Sequence, residues 1–228
     1  MSHDSDLNDV LIPRQQVPAG AEEFSRTVHD LLDGRPKDEA TVAKALSGMD
    51  AMLDMIAAGL YSMASMLVGE GEDSIRLVET AVARTEIPSG ADALQARQNS
   101  RRTLCTAAVE LIAARTPQSL AAPEWLEHVS TCIDDDDLES AGISQAELES
   151  MLAGPNRRNV RNWIESLSIP VRVIFVLRAV AGFSAHETAA ILAEHGGKGA
   201  QGWNSDAVRE IFRQGLCSLA SQLIHATR

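Results

Sequence analysis

Histidine, cysteine and clustered carboxylates are the side chains that would announce a catalytic or metal centre, and their spacing here argues against one. His3, His29, His128, His186, His195 and His225 contain no H-x-x-x-H or H-E-x-x-H grouping, the spacing that sets two imidazoles on one helical face around zinc. His186 and His195, at the two ends of one short helix, read as surface or cap residues. Cys105, Cys132 and Cys217 lack C-x-x-C spacing and read as reduced thiols that pack as small hydrophobes. The side chains of Asp134, Asp135, Asp136 and Asp137 are consecutive and point apart, and no second ligand group accompanies them. They read as a self-repelling solvated linker rather than a cation site. No glycine-rich phosphate loop follows a strand. The expectation is a binding protein with no catalytic residue, no metal and no cofactor.

The chemistry that remains is that of guanidinium groups. The 228-residue chain carries a net charge of −12, which by itself disfavours nucleic acid, because a DNA binder must neutralise phosphates. The distribution is uneven. From Pro155 to Arg228 the balance is +4, leaving −16 on the remainder, a basic end for phosphates and an acidic body for protein. Arg209 and Arg213 are the focus of the basic end, with Arg157, Arg158 and Lys198 expected close by.

The elements that must position these groups read as helices throughout. Residues 1–38, with Pro13, Pro18, Gly20, Gly34 and Pro36, form a flexible N-terminal arm. Leu46, Met49, Leu53, Ile56, Leu60, Ala64 and Leu67 recur at three- and four-residue intervals and predict an amphipathic helix ending at Gly69 to Gly71. Met49, Met52, Met55, Met63 and Met66 belong to this helix as an apolar surface, not as a cofactor box. A second helix should turn Ile75, Val78, Ala81 and Val82 inward, with Pro88 to Gly90 as the loop after it. A third, from about Asp92 to Arg115, should bury Leu104, Ala107, Ala108, Leu111 and Ile112. This makes a helical domain over residues 39–116.

Residues 117–154 read as an acidic linker with one short helix at Gln145 to Leu152, open to proteolysis near Asp134 to Ser140. Residues 155–228 form the second domain. Pro170 opens a helix that Gly182 stops. Ser184 and Glu187 have capping-box spacing, so a short helix begins at Ala185, buries Thr188, Ile191 and Leu192, and ends before Gly196. Asn204 and Ser205 offer the next N-cap, and Val208, Ile211, Phe212, Leu216, Leu219 and Leu223 form one stripe. A short helix, a break and a longer helix with arginines in its first turns is the layout of a helix-turn-helix.

The stretch from Leu167 through Pro170, Phe175, Leu177, Arg178, Gly182, Ser184, Glu187 and Ala189 to Leu192 resembles the C-terminal promoter-reading domain of extracytoplasmic-function (ECF) class RNA polymerase sigma factors. The stretch from Leu67 through Gly69, Glu72, Asp73, Leu77 and Val78 to Glu79 is similar to part of the N-terminal domain of the same family. The resemblance implies an all-α fold of two helical domains, the C-terminal one a helix-turn-helix, joined by the acidic linker, and a cytoplasmic protein with no membrane contact. It implies promoter DNA and RNA polymerase core as partners. By position, Glu72, Asp73, Arg76, Leu77, Val78 and Glu79 would face polymerase, and Asn204, Ser205, Arg209, Arg213 and Gln214 would face DNA.

The chain diverges from that family at identifiable places. Arg76 reverses one charge, and the helix around Thr103 to Glu110 lacks the tryptophan and the arginine-asparagine pair used in promoter melting, so no aromatic platform for unpaired bases is evident there. Eight residues separate His195 from Asn204, where a helix-turn-helix spends three or four. A second expectation follows: a sigma-like interaction protein that binds an anti-sigma factor or polymerase without reading DNA.

Overall fold

The structure, a computed structural model, describes residues 56–85, 93–122, 132–155 and 157–226. Among them are eight α-helices and no strand. Helix α1 covers residues 56–68, α2 Glu72–Arg84, α3 Ala93–Arg115, α4 Gln145–Ala153, α5 Arg157–Ser166, α6 Ile169–Phe175, α7 Ala185–His195 and α8 Ser205–Ala226. Short 3₁₀ turns lie at Glu139–Ala141 and Lys198–Ala200, and α6 runs on as a π-helical turn, Val176–Val180. All described residues belong to one compact unit beginning at Ile56. The arm at residues 1–38, the start of the first helix with Met49, Met52, Leu53 and Met55, and the loop Pro88 to Gly90 lie outside the described residues.

Gly69 and Gly71 take φ values of 88° and 142°, a backbone that side chains resist, and so reverse the chain between α1 and α2 where the sequence placed the break. The buried side of α2 differs from expectation. Ser74, Leu77 and Ala81 point inward with Val78 beside them, whereas Ile75 and Val82 are exposed. Two polar contacts set this rotation: the Ser74 hydroxyl donates to the Gly71 carbonyl (2.8 Å), and Asp73 accepts two bonds from Arg115 of α3 (2.5 and 2.6 Å). Counting apolar residues alone misses them. On α3, Leu104, Ala107, Ala108 and Ile112 are buried as expected and Leu111 packs at the edge; Met63 and Met66 of α1 belong to the core.

Helix α5 was not evident from breakers, yet Val160, Trp163 and Ile164 stand at helical spacing and all are buried. Trp163 meets the ring of Phe175 edge-on at 5.0 Å, and Phe175 meets Phe212 at 5.8 Å, so one aromatic chain joins α5, α6 and α8. Burial of each such ring stabilises the fold by roughly 1.5–3 kcal/mol. The Trp163 indole donates to the Ser218 hydroxyl (2.9 Å), and Gly215 lets α8 approach, since a Cβ there would sit 3.0 Å from the Phe175 ring. Arg172 donates to the carbonyls of Glu165 (2.6 Å) and Leu167 (3.2 Å), fixing the corner between α5 and α6.

The described residues before and after the stretch 117–154 are in direct contact. Helix α3 packs directly on α7, and the Arg102–Glu187 ion pair and a 2.9 Å contact between Glu110 Oε1 and His195 Nδ1 join them. The connection between α7 and α8 docks on the residues after α3: the Trp203 indole donates to the Leu120 carbonyl (2.8 Å), and Ala122 N donates to the Gly199 carbonyl (3.1 Å). The short helix at Gln145 forms, opened by a capping box in which Ser144 and Glu147 exchange bonds.

Candidate functional site

The α7–α8 pair is built as its residues dictate. Ser184 Oγ accepts from the Glu187 amide (3.2 Å), and the Glu187 carboxylate accepts from the Ser184 amide (3.0 Å). These bonds, led by the Ser184 amide and supplemented by Arg102, hold the Glu187 carboxyl below the usual range. Thr188, Ile191 and Leu192 are buried, and Gly196 follows the last turn of α7. Nine residues on from His195, the Asn204 carbonyl oxygen Oδ1 accepts from Ala207 N (2.9 Å) and starts α8. Val208, Ile211, Phe212, Leu216 and Leu219 of α8 are buried, and Arg209 emerges on the open side.

The acidic segment contacts Arg209 and two further arginines, Arg178 and Arg213. Arg178, at the π-helical turn after α6, donates to the Asp136 carboxylate (2.7 Å) and to the carbonyls of Asp136 (2.9 Å) and Phe183 (3.3 Å), with its guanidinium 4.9 Å above the Phe212 ring. Its side chain is only 16% exposed, and burial lowers its affinity for the proton despite the carboxylate beside it. Arg209 lies 3.8 Å from Asp136 and 2.7 Å from Asp206. Arg213 donates to the Asp134 carbonyl (2.9 Å) and the Glu210 carboxylate (2.5 Å). Asp137 accepts from the amide and hydroxyl of Ser140, both at 2.8 Å, which depresses its pKa and anchors the 3₁₀ turn that follows.

A covalent bond holds the same segment. Cys132 and Cys217 of α8 form a disulfide with Cα atoms 5.8 Å apart, which corrects the expectation of three reduced thiols. Only Cys105 fits it: the thiol is buried, and burial pushes its pKa up to about 12. The pairing had no sequence signature because the docking of the segment, not chain spacing, brings the sulfurs together. Asp134, Asp135 and Asp137 are exposed, as a solvated segment would be, but Asp136 is half-buried against Arg178. Four like charges repel one another in isolation, but here Asp136 and the Asp134 carbonyl meet three guanidinium groups.

Of the residues expected to face DNA, Asn204 is engaged as a cap, Arg209 and Arg213 are engaged by acidic groups, Ser205 is half-exposed, and Gln214 is half-buried. Of those expected to face polymerase, Leu77 is a core residue, Val78 packs at its edge, and Asp73 is paired with Arg115, which depresses the Asp73 pKa. Glu72, Arg76 and Glu79 are exposed, with Arg76 paired to Glu72 one turn away. Arg157 and Arg158 line a cleft formed by α1, α3, α4 and α5, apart from the carboxylate contacts of Arg209 and Arg213. The residue that sequence reasoning passed over is Arg178. Its signal was a lone charge inside the apolar run Val173 to Val180, which demands a partner once buried. Among the described residues no group of three or more His, Cys, Asp or Glu is arranged to hold a metal ion, and no helix is long and apolar enough to cross a membrane.

Comparison of the chain with protein-family models, with curated proteins and with solved structures found no match.

Proposed function

We propose that this chain is a transcription regulator of the ECF sigma-factor type, in which the exposed face of α2 meets RNA polymerase core and α7–α8 serve as a helix-turn-helix for promoter DNA. The observation that carries this reading is the α7–α8 pair: a capped short helix laid against a longer one whose core stripe leaves Arg209 and Arg213 near its beginning. DNA contact then requires the segment around Asp136 to leave those arginines, because phosphates and carboxylates compete for the same guanidinium donors.

One observation favours a second reading, an interaction protein that binds polymerase or an anti-sigma factor without reading DNA. Arg178, Arg209 and Arg213 all have acidic or carbonyl partners within the chain. The two readings separate in one experiment. The full chain is tested for capture of RNA polymerase core and for transcription from promoters selected with the resulting holoenzyme, beside the Arg209→Ala/Arg213→Ala variant. Capture with transcription that the double substitution abolishes supports the sigma-factor reading. Capture with no transcription from any promoter supports the second, and failure to capture core removes both polymerase proposals.

A further inference from the structure

A cleft of about 1040 Å³ opens between α1, α3, α4 and α5. Five arginines line it: Arg97 and Arg101, one turn apart on α3, and Arg157, Arg158 and Arg161 at the beginning of α5. Arg161 is paired with Glu70. Among the described residues, the guanidinium groups of Arg97, Arg101, Arg157 and Arg158 form neither an ion pair nor a hydrogen bond. Arg101 is half-buried, and both desolvation and the neighbouring Arg97 charge make its protonated form harder to hold. The carboxylates in the lining are Glu70, Glu149 and Glu165. Glu149 attracts Arg101 without pairing with it and accepts a long bond from Gln145 (3.4 Å).

Such a gathering of like charges is costly to assemble, because each unpaired guanidinium repels its neighbours at reduced dielectric. An anion with several closely spaced charges removes that cost. The cleft wall also includes Tyr61, the only tyrosine of the chain and half-buried, whose ring offers a face to a planar group. The volume matches a single small ligand. A long nucleic acid would run beyond the arginines onto a body of net negative charge, whereas a compact polyanion is sensed only within about 8 Å at physiological salt.

From these features we propose that the cleft binds a nucleoside polyphosphate, its phosphates held by Arg97, Arg101, Arg157 and Arg158 and its base lodged against the wall that includes Tyr61. This site is independent of the α7–α8 reading and stands or falls separately.

The test is calorimetric titration of the full chain, in magnesium-free buffer, with ATP, GTP, inorganic tripolyphosphate and a single-stranded oligonucleotide. The expected result is saturable one-to-one binding of ATP or GTP, lowered about a hundredfold in Arg157→Ala/Arg158→Ala, because two charge-assisted contacts are lost. Both arginines are exposed and their guanidinium groups are without partners among the described residues, so the circular dichroism melt of the variant should match the parent. Tyr61→Leu should weaken nucleotide binding several-fold and leave tripolyphosphate binding unchanged. Three outcomes would overturn the assignment: no heat from either nucleotide at millimolar concentration, nucleotide binding unaffected by the double substitution, or tripolyphosphate or the oligonucleotide binding more tightly than both nucleotides.

Discussion

Replacing Asp136 by alanine isolates what the acidic segment contributes. In the parent its carboxylate accepts from Arg178 at 2.7 Å and lies 3.8 Å from Arg209, with the two members of the first pair 32% and 16% exposed. Breaking a fully buried pair costs about 3–5 kcal/mol, and an exposed one costs less than about 1 kcal/mol. With partial exposure, and with Arg178 still donating to the carbonyls of residues 136 and 183, a loss of about 2 kcal/mol is expected. For a unit of this size that corresponds to a fall in Tm of roughly 4–8 °C. Asp135 provides the internal control, being exposed and without a partner among the described residues, and Asp135→Ala should shift stability by less than about 0.5 kcal/mol. Urea unfolding of the oxidised protein measures both. Equal effects from the two substitutions would show that the segment is held by its disulfide alone and that the ionic contacts contribute nothing. If α8 contacts DNA, Asp136→Ala should also raise affinity for a duplex probe, read by fluorescence anisotropy at low salt.

Three further outcomes follow from the same geometry. Maleimide should label none of the cysteines in the native oxidised protein, two after mild reduction without denaturant, and all three after unfolding, as counted by intact mass; labelling of Cys105 in the folded state would contradict its burial. Trp203→Ala, which removes a buried indole and its bond to Leu120, should cost about 3–5 kcal/mol by urea unfolding, and a cost below about 1 kcal/mol would mean that the α7–α8 connection is not docked on residues 117–122. The capping carboxylates of Asp137, Glu147 and Glu187 are held below their ordinary pKa by the serine groups they accept from. Their contribution is therefore complete above the ordinary carboxylate value and is lost as pH falls through the depressed one, on the acid side of about pH 4. Ser184→Ala should flatten that acid-side decline, and an unchanged slope would remove Glu187 from the account.

Local patterns were legible where one residue type has one physical use. Ser184 with Glu187, Asn204 before α8, Gly69 with Gly71 and the stripe from Val208 to Leu219 each state a cap, a break or a core face within a few residues, and the structure places them so. Long-range pairing was not legible. Asp134 to Asp137 read as repulsive because their partners, Arg178, Arg209 and Arg213, lie 42 or more residues away, and no local rule links them. Cys132 and Cys217 fail to announce their bond for the same reason. The sequence shows Arg209 and Arg213 as charges near the start of a helix, but their pairing with acidic groups is a property of the packed chain alone.

The separations along the chain also impose an order in time. At a synthesis rate of about 5–20 residues per second, Arg178 emerges roughly 2–8 s after Asp136, whereas Cys217 follows Cys132, 85 residues earlier, by roughly 4–17 s. On a growing chain the ionic clasp is therefore available before the covalent one. Oxidation would then trap a segment that charge has already seated, and the nascent protein passes through an interval in which the α6 half of this arrangement exists while Cys132 still has no partner.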